Sequence, residues 1–416
     1  MRMTKGRFCG LFFGVVGFVA GGPSGAAVVS ATGQGDPTTV LEWSSAATSA
    51  IVTVEPRFPC RSAVYKGIVH AAIYDAVVGI EGGYEPYTEH AAAPEGASAD
   101  AAAAQAAHDV LVGLFPALQA ELDAVLEVSL ARVPDGQAQD DGVLYGQQVA
   151  IDILTLRQND NLESNPVYTP GSGPGAWVPG PNPVGTGLGQ TRPLIMLSGD
   201  EFRPDGPPAL GSVEYADALN EVRSVGALSS GARSPQQTET ARFYSDNAVP
   251  QFTRALNKLS TEQGLTLLGA ARMLAMTAIA SGDACISCFD AKYYYSFWRP
   301  ITAIRNDANA PDPSWTPLIS TPNHPSYPSA HACYTEATTE SLRDFFATDH
   351  VTFTVDSTST GTTHTFRKFS DLSKELVDAR VWGGVHFRTD DTAGALIGRK
   401  VAKLLDKEFM RPIGPK

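Results

Sequence analysis

Hydrophobic and small residues recur along this chain at helical rather than strand spacing. From Ala63 to Val78, the residues Val64, Gly67, Ile68, Ala71, Ala72 and Asp75 fall on a 3.6-residue period, which predicts a helix. Ser98 to Leu114 is alanine-rich and stops before Pro116, and Ala117 to Ala131 and Val143 to Arg157 continue the pattern. Further helices are predicted over Ser212 to Val225, Pro235 to Tyr244, Thr261 to Tyr294, Ala332 to Ala347, Leu372 to Val381 and Thr389 to Glu408. Alternation of strand type is scarce, and Thr352 to Phe366 is the best candidate for a hairpin. Residues 166–189 hold six prolines and seven glycines in 24 positions, a composition that neither helix nor strand tolerates. Tyr168 and Trp177 give that stretch apolar anchors, so an ordered crossing loop is expected there. The prediction is an all-α helical bundle with one long irregular excursion.

The first 31 residues read differently. Arg2, Lys5 and Arg7 precede an apolar run from Leu11 to Ala20, and small residues follow, with Val29-Ser30-Ala31 as a cleavage site. This is the pattern of a secretory signal, because the run is too short to span a bilayer. Residues 32–416 would then form a single helical domain, secreted or periplasmic. No later stretch holds eighteen consecutive apolar residues, so no stable membrane association is expected after cleavage.

Composition supports a large buried core, with 43% hydrophobic and 18% charged residues. The full chain has a net charge of −13. Without the three basic residues of the signal, 28 basic face 44 acidic side chains, a net of −16. Such a surface repels phosphate backbones, so nucleic acid and anionic membranes are poor partners. The domain retains Cys60, Cys285, Cys288 and Cys333. Two disulfides are one reading for an exported chain, but Cys285-x-x-Cys288 lies inside a predicted helix without a βαβ setting. Buried structural thiols are the favoured reading.

Candidate chemistry gathers in the last third, in residues 292–391. Lys292 and Arg299 are seven apart, which places them on one face of a continuous helix; five of the six residues between them are aromatic. Two cations in so apolar a segment call for an anion. His324-Pro-Ser-Tyr-Pro-Ser329-Ala330-His331 leads into a helix, with Pro328 and Ser329 as its openers. The free N–H groups of such a helix start bind oxyanions, and His331 in the first turn is a candidate acid or base. Arg380 and His386 flank Gly383-Gly384, which allows a break that turns both inward. His386 and Asp390 are four apart, the spacing for a carboxylate to take one imidazole N–H and fix its tautomer. Three permanent cations and two histidines predict a strongly positive pocket. There is no Gly-x-Ser-x-Gly elbow and no phosphate-binding P-loop.

Lys292, Arg299 and Pro300, then Pro328, Ser329 and His331, then Arg380, His386 and Asp390 resemble the signature of type 2 phosphatidic acid phosphatases (PAP2) and vanadium-dependent haloperoxidases. Two positions depart from it: Ala330 replaces a glycine and Ala379 a serine. Ala63 to Tyr87, Phe202 to Leu210 and Tyr215 to Val222 are similar to the bacterial haloperoxidase-like branch. The resemblance implies a bundle of the PAP2/haloperoxidase type and vanadate as cofactor. It implies His386 as the vanadium ligand, with Lys292, Arg299, Arg380, Ser329 and the Ala330 N–H around the oxygens. It further implies hydrogen peroxide, halide and a small organic acceptor as partners, with Lys292 polarising peroxide and His331 carrying its proton. His324 is similar to the residue near the oxidised halide in bromoperoxidases, which favours bromide over chloride. Self-association into a homo-oligomer is compatible with it. Phosphate would fit the same site, so an exported acid phosphatase is the alternative, with His386 as nucleophile, Asp390 orienting it and His331 protonating the leaving group. A non-catalytic oxyanion-binding protein is the third reading.

Overall fold

A computed structural model describes residues 35–54, 56 and 58–414. The expected export signal, residues 1–31, lies outside the described residues. The chain forms α1 (Thr38–Val54), α2 (Pro59–Glu81), α3 (Ala99–Leu114), α4 (Gln119–Leu130), α5 (Gln137–Leu156), α6 (Val213–Val225), α7 (Pro235–Phe243), α8 (Ala248–Glu262) and α9 (Leu267–Tyr295). Then come α10 (Pro300–Arg305), α11 (Ala330–Phe346), the strands β1 (Phe353–Asp356) and β2 (Thr363–Phe366), α12 (Phe369–Trp382) and α13 (Arg388–Glu408). The hairpin is antiparallel, with Phe353 opposite Phe366.

α9 is the central helix, packed between α2 on one side and α11 and α13 on the other, while α3 bridges α2 and α5. α2 and α9 are apolar enough in length and composition to cross a membrane, but 89% and 94% of their most apolar windows are buried within the protein. A helix buried on all sides shows no polar face, which accounts for that character without a bilayer. Serine and threonine caps set several starts: Ser98 accepts from the Ala101 N–H, Ser212 from Tyr215 and Thr266 from Gly269.

Two expected boundaries move. The helix predicted to begin at Thr261 is two helices, because α8 ends at Glu262, Gly264 takes a left-handed φ of +60° and Thr266 caps a new start. α9 stops at Tyr295, where Ser296 turns left-handed at φ +46°, so Lys292 and Arg299 do not share a helix face. The Pro/Gly-rich loop is exposed over residues 169–174 but anchored at Trp177 and over residues 185–188. Trp177 is buried and its ring lies 5.2 Å from Tyr168 and 6.1 Å from Tyr293. Its N–H donates to the Ser296 carbonyl, and the Trp298 N–H donates to Gly175, so the loop clamps the turn that leads to Arg299.

Cys60, Cys285, Cys288 and Cys333, the four cysteines among the described residues, are buried free thiols, which removes the disulfide alternative. Apolar surroundings push the Cys285 and Cys333 thiols well up, away from the reactive thiolate.

Candidate functional site

The site is assembled where α9, the start of α11 and the α12–α13 junction meet. Lys292, in the last turn of α9, is fully buried and donates to the carbonyls of Pro325 (2.8 Å), Ser326 (2.9 Å) and Pro328. Those three bonds engage all three of its protons. It thereby fixes the backbone of the 325–328 loop below the start of α11.

Arg299 reaches the same place from beyond the turn. Its Nε donates to the His324 carbonyl at 2.9 Å and its Nη1 to the Val385 carbonyl at 2.8 Å. Nη1 also lies 3.1 Å from His386 Nε2, and Nη2 lies 3.1 Å from His324 Nδ1. The aromatics around it form a separate cluster: Phe297 lies 5.7 Å from Phe387, and Trp298 stacks on Tyr215 of α6. This apolar contact joins the Arg299 segment to the His386 segment.

Between Arg380 and His386 the chain breaks at the two glycines. α12 ends at Trp382, and Gly384 adopts φ +77° with room for no side chain, since a Cβ there would lie 2.4 Å from the Gly226 carbonyl oxygen. The break leaves His386 two residues ahead of α13, facing the Asp390 carboxylate across 3.0 Å from its Nδ1. Asp390 Oδ2 also accepts from the Ser326 hydroxyl at 2.6 Å and the Phe387 N–H at 3.1 Å. With Nδ1–H donating to Asp390, the Nε2 of His386 carries the lone pair that Arg299 faces.

Ser329 occupies the N-cap position of α11, but its hydroxyl makes no capping bond; the cap's own N–H donates to the Asp390 carbonyl at 2.8 Å. Ser329 Oγ and Arg380 Nε are buried without a hydrogen-bond partner. Arg380 Nη1 donates to the Tyr244 carbonyl at 2.9 Å. Above them lies a cavity of about 720 Å³ onto which His324, Ala330, His331 and Arg380 open. Phe58, Phe289 and Ile319 give it an apolar wall, and Asp246 and Asn247 a polar edge. His324 packs against Phe289 at 5.2 Å. His331 is half-buried in the cavity lining.

Burial works against each charge in the site. Burial pushes Lys292 down to about 8, Arg299 to about 9 and Arg380 to about 10. Burial and these cations hold His324, His331 and His386 well below the ordinary imidazole range, hence neutral. Two buried carboxyls lie beneath the cations. Burial pushes Asp390 up to about 6 and raises Asp391 well above the ordinary range. Asp391 and Ser326 are the residues that motif reading missed: Asp391 adjoins the signature aspartate, and Ser326 lies inside the second motif as an ordinary loop residue.

Three buried cations, orphaned donors at a helix start and one neutral, carboxylate-held imidazole define an oxyanion cradle on an α-helical scaffold. Residues 272–414 match the family described as "VCPO second helical-bundle domain". Vanadium chloroperoxidase of Curvularia inaequalis is 27% identical, the match covering 69% of this chain and 61% of that protein. The chain thus spans about three-fifths of the length of this curated relative. A bacterial vanadium-dependent iodoperoxidase shares the fold with a TM-score of 0.78 at 24% identity, over 91% of this chain and 98% of that one. A bacterial vanadium-dependent chloroperoxidase in its holo form aligns with a TM-score of 0.66 at 18% identity, over 82% and 90% of the two chains. The chain thus shares the fold of the bacterial vanadium-dependent haloperoxidases and, over residues 272–414, matches the second helical-bundle domain of that family.

Proposed function

We propose that this protein is a vanadate-dependent haloperoxidase, exported from the cell, that uses hydrogen peroxide to oxidise halide. The observation that carries the reading is His386, whose Asp390-held ring points Nε2 at the Arg299 guanidinium among buried cations. The residues present fit a tetrahedral oxyanion. Ser329 Oγ and Arg380 Nε are buried donors without partners, and the start of α11 adds the Ala330 N–H. His386 Nε2 would take the metal, while Arg299, Arg380, Ser329 and Ala330 would hold the oxygens. Vanadium(V), when bound, supplies Lewis-acid activation of peroxide, so no redox-active side chain is required. Lys292 contributes its charge and the shape of the 325–328 loop, since its protons are held by carbonyls. His331, neutral and open to the cavity, takes and returns a proton at its ring nitrogen. His324 lies at the cavity floor beside Arg299, and with the sequence around it supports bromide as the preferred halide. The apolar wall of Phe58, Phe289 and Ile319 suits a small organic acceptor.

The phosphatase reading uses the same cradle but is not favoured, because the relatives are haloperoxidases by name. Metal-free protein reconstituted with orthovanadate should brominate a phenolic dye when peroxide is added, and do so faster than with chloride. Release of p-nitrophenol from p-nitrophenyl phosphate, without bromination, would reverse the assignment.

A further inference from the structure

Asp391 lies outside the three-part signature, yet it is fully buried at the junction of α11 and α13. In the first turn of α13 it shares a helix face with Gly394, three residues on. Gly394 sits so close to the start of α11 that a Cβ on it would lie 2.5 Å from the Ser329 carbonyl oxygen. One residue earlier, the Asp390 carbonyl accepts the Ser329 N–H at 2.8 Å. The Asp391 carboxyl therefore faces the Ser329 end of α11. Neither of its oxygens completes a hydrogen bond, and the same holds for Ser329 Oγ and Arg380 Nε. The Ser329 hydroxyl nevertheless lies close enough to favour the ionised acid. A buried carboxyl with two open oxygens beside an open hydroxyl is a costly arrangement unless the two work together.

We propose that Asp391 is a positioning residue for the Ser329 hydroxyl, and through it for a bound oxyanion. As a neutral acid it donates to Ser329 Oγ, which leaves the serine proton directed into the cradle. As a carboxylate it accepts that proton and withdraws the donor from the anion. Binding of an oxyanion is then linked to the uptake of one proton at Asp391.

The charged and titratable groups around it set the balance. Burial and Asp390 favour the neutral acid, while Ser329, Arg380 of α12 and Arg388 of α13 favour the carboxylate. His331 on α11 is neutral, and Lys292 and Arg299 act on Asp390. An incoming anion adds to the side that favours the neutral acid.

This rests on the cradle reading, and the test separates the two. Binding of inorganic phosphate is measured calorimetrically from pH 5 to pH 8 for the wild type, Asp391→Asn, Ser329→Ala and the double variant. The phosphate's own protonation is common to all four and cancels in their ratios. The amide of Asp391→Asn keeps a permanent donor, so its affinity should match the wild type at the acid end. Its advantage should grow with pH, by up to about tenfold per pH unit above the point where Asp391 ionises. The advantage should shrink several-fold in the Ser329→Ala background. Equal pH profiles for wild type and Asp391→Asn, or an undiminished advantage without Ser329, would overturn the assignment. Should Asp391→Asn not fold, wild-type titrations in two buffers of different ionisation enthalpy decide: proton uptake beyond that of phosphate supports it, and none refutes it. A wild type that binds neither phosphate nor vanadate would remove the cradle reading itself, and this inference with it.

Discussion

The Nη1 of Arg299 lies 3.1 Å from the Nε2 of His386, and the same guanidinium donates to the carbonyls of His324 and Val385. One planar fork thus ties two loops that approach from opposite sides of the site. A lysine cannot reproduce it, because an ammonium is a point donor on a flexible stem. Arg299→Lys should fold but bind phosphate or vanadate about 10–100-fold more weakly, the worth of one or two charge-assisted bonds. Equilibrium dialysis showing affinity within threefold of wild type would contradict this role.

Gly384 carries the other geometric demand. Its φ of +77° and the Gly226 carbonyl oxygen, 2.4 Å from where a Cβ would lie, both exclude a side chain. Gly384→Ala should cost about 1–3 kcal/mol by urea unfolding and weaken oxyanion binding, since the turn aims Arg380 and His386 together. Gly383→Ala is the contrast. Its φ is −70°, and the added methyl would meet mainly the flexible end of Ile319. It should be the milder of the two in both measurements, and the reverse ranking would show that the turn is not set by Gly384.

Much of this site was legible because its chemistry is local in sequence. The Gly383-Gly384 break and the His386–Asp390 spacing were each readable within ten residues. The pocket's charge was not. Whether Asp390 and Asp391 are neutral depends on burial by α9, α11 and α12, and no local pattern reports that. The fold was legible in class but incomplete in elements. α1 was missed because Thr38, Thr39, Val40, Ile51, Val52 and Val54 are β-branched, and its helicity comes from packing on α3 and α8 rather than from propensity. α8 was missed because Pro250 reads as a breaker; it falls in the first turn, where proline removes no helical bond.

A different pH response belongs to the periphery. His364 on β2 is held between Glu375 (2.7 Å) and Glu239 (3.0 Å), and its ring stacks on Phe243 at 3.9 Å. Burial works against its charge, but the two carboxylates prevail and its pKa is raised above 6.5. The folded state therefore holds the proton more tightly than the unfolded chain. That stabilisation is fully present below pH 6.5 and is lost as pH rises through the folded value. His364→Gln should accordingly lower the thermal midpoint more at pH 6 than at pH 9. An equal or larger loss at pH 9 would mean that the ring's packing, not its charge, is what matters.

The two site histidines should separate cleanly by substitution. His386 is buried, its Nδ1 is bonded to Asp390 and its Nε2 faces Arg299. Such a ring is fixed in tautomer and direction, as a coordinating nitrogen must be. His331 is half-buried in the cavity lining, one residue into α11, and burial together with Arg380, Arg299 and Lys292 keeps it neutral. A neutral imidazole open to the cavity can accept a proton there, and a bound oxyanion would offset the cations that disfavour its charged form. His386→Ala should therefore abolish tight vanadate retention. His331→Ala should retain vanadate yet lose roughly 10²–10⁴-fold in turnover, the usual worth of general acid–base catalysis. Vanadate content after gel filtration and steady-state bromination, measured on the same preparations, give both readouts. If His331→Ala released the vanadate while His386→Ala kept it, the two roles would have to be exchanged.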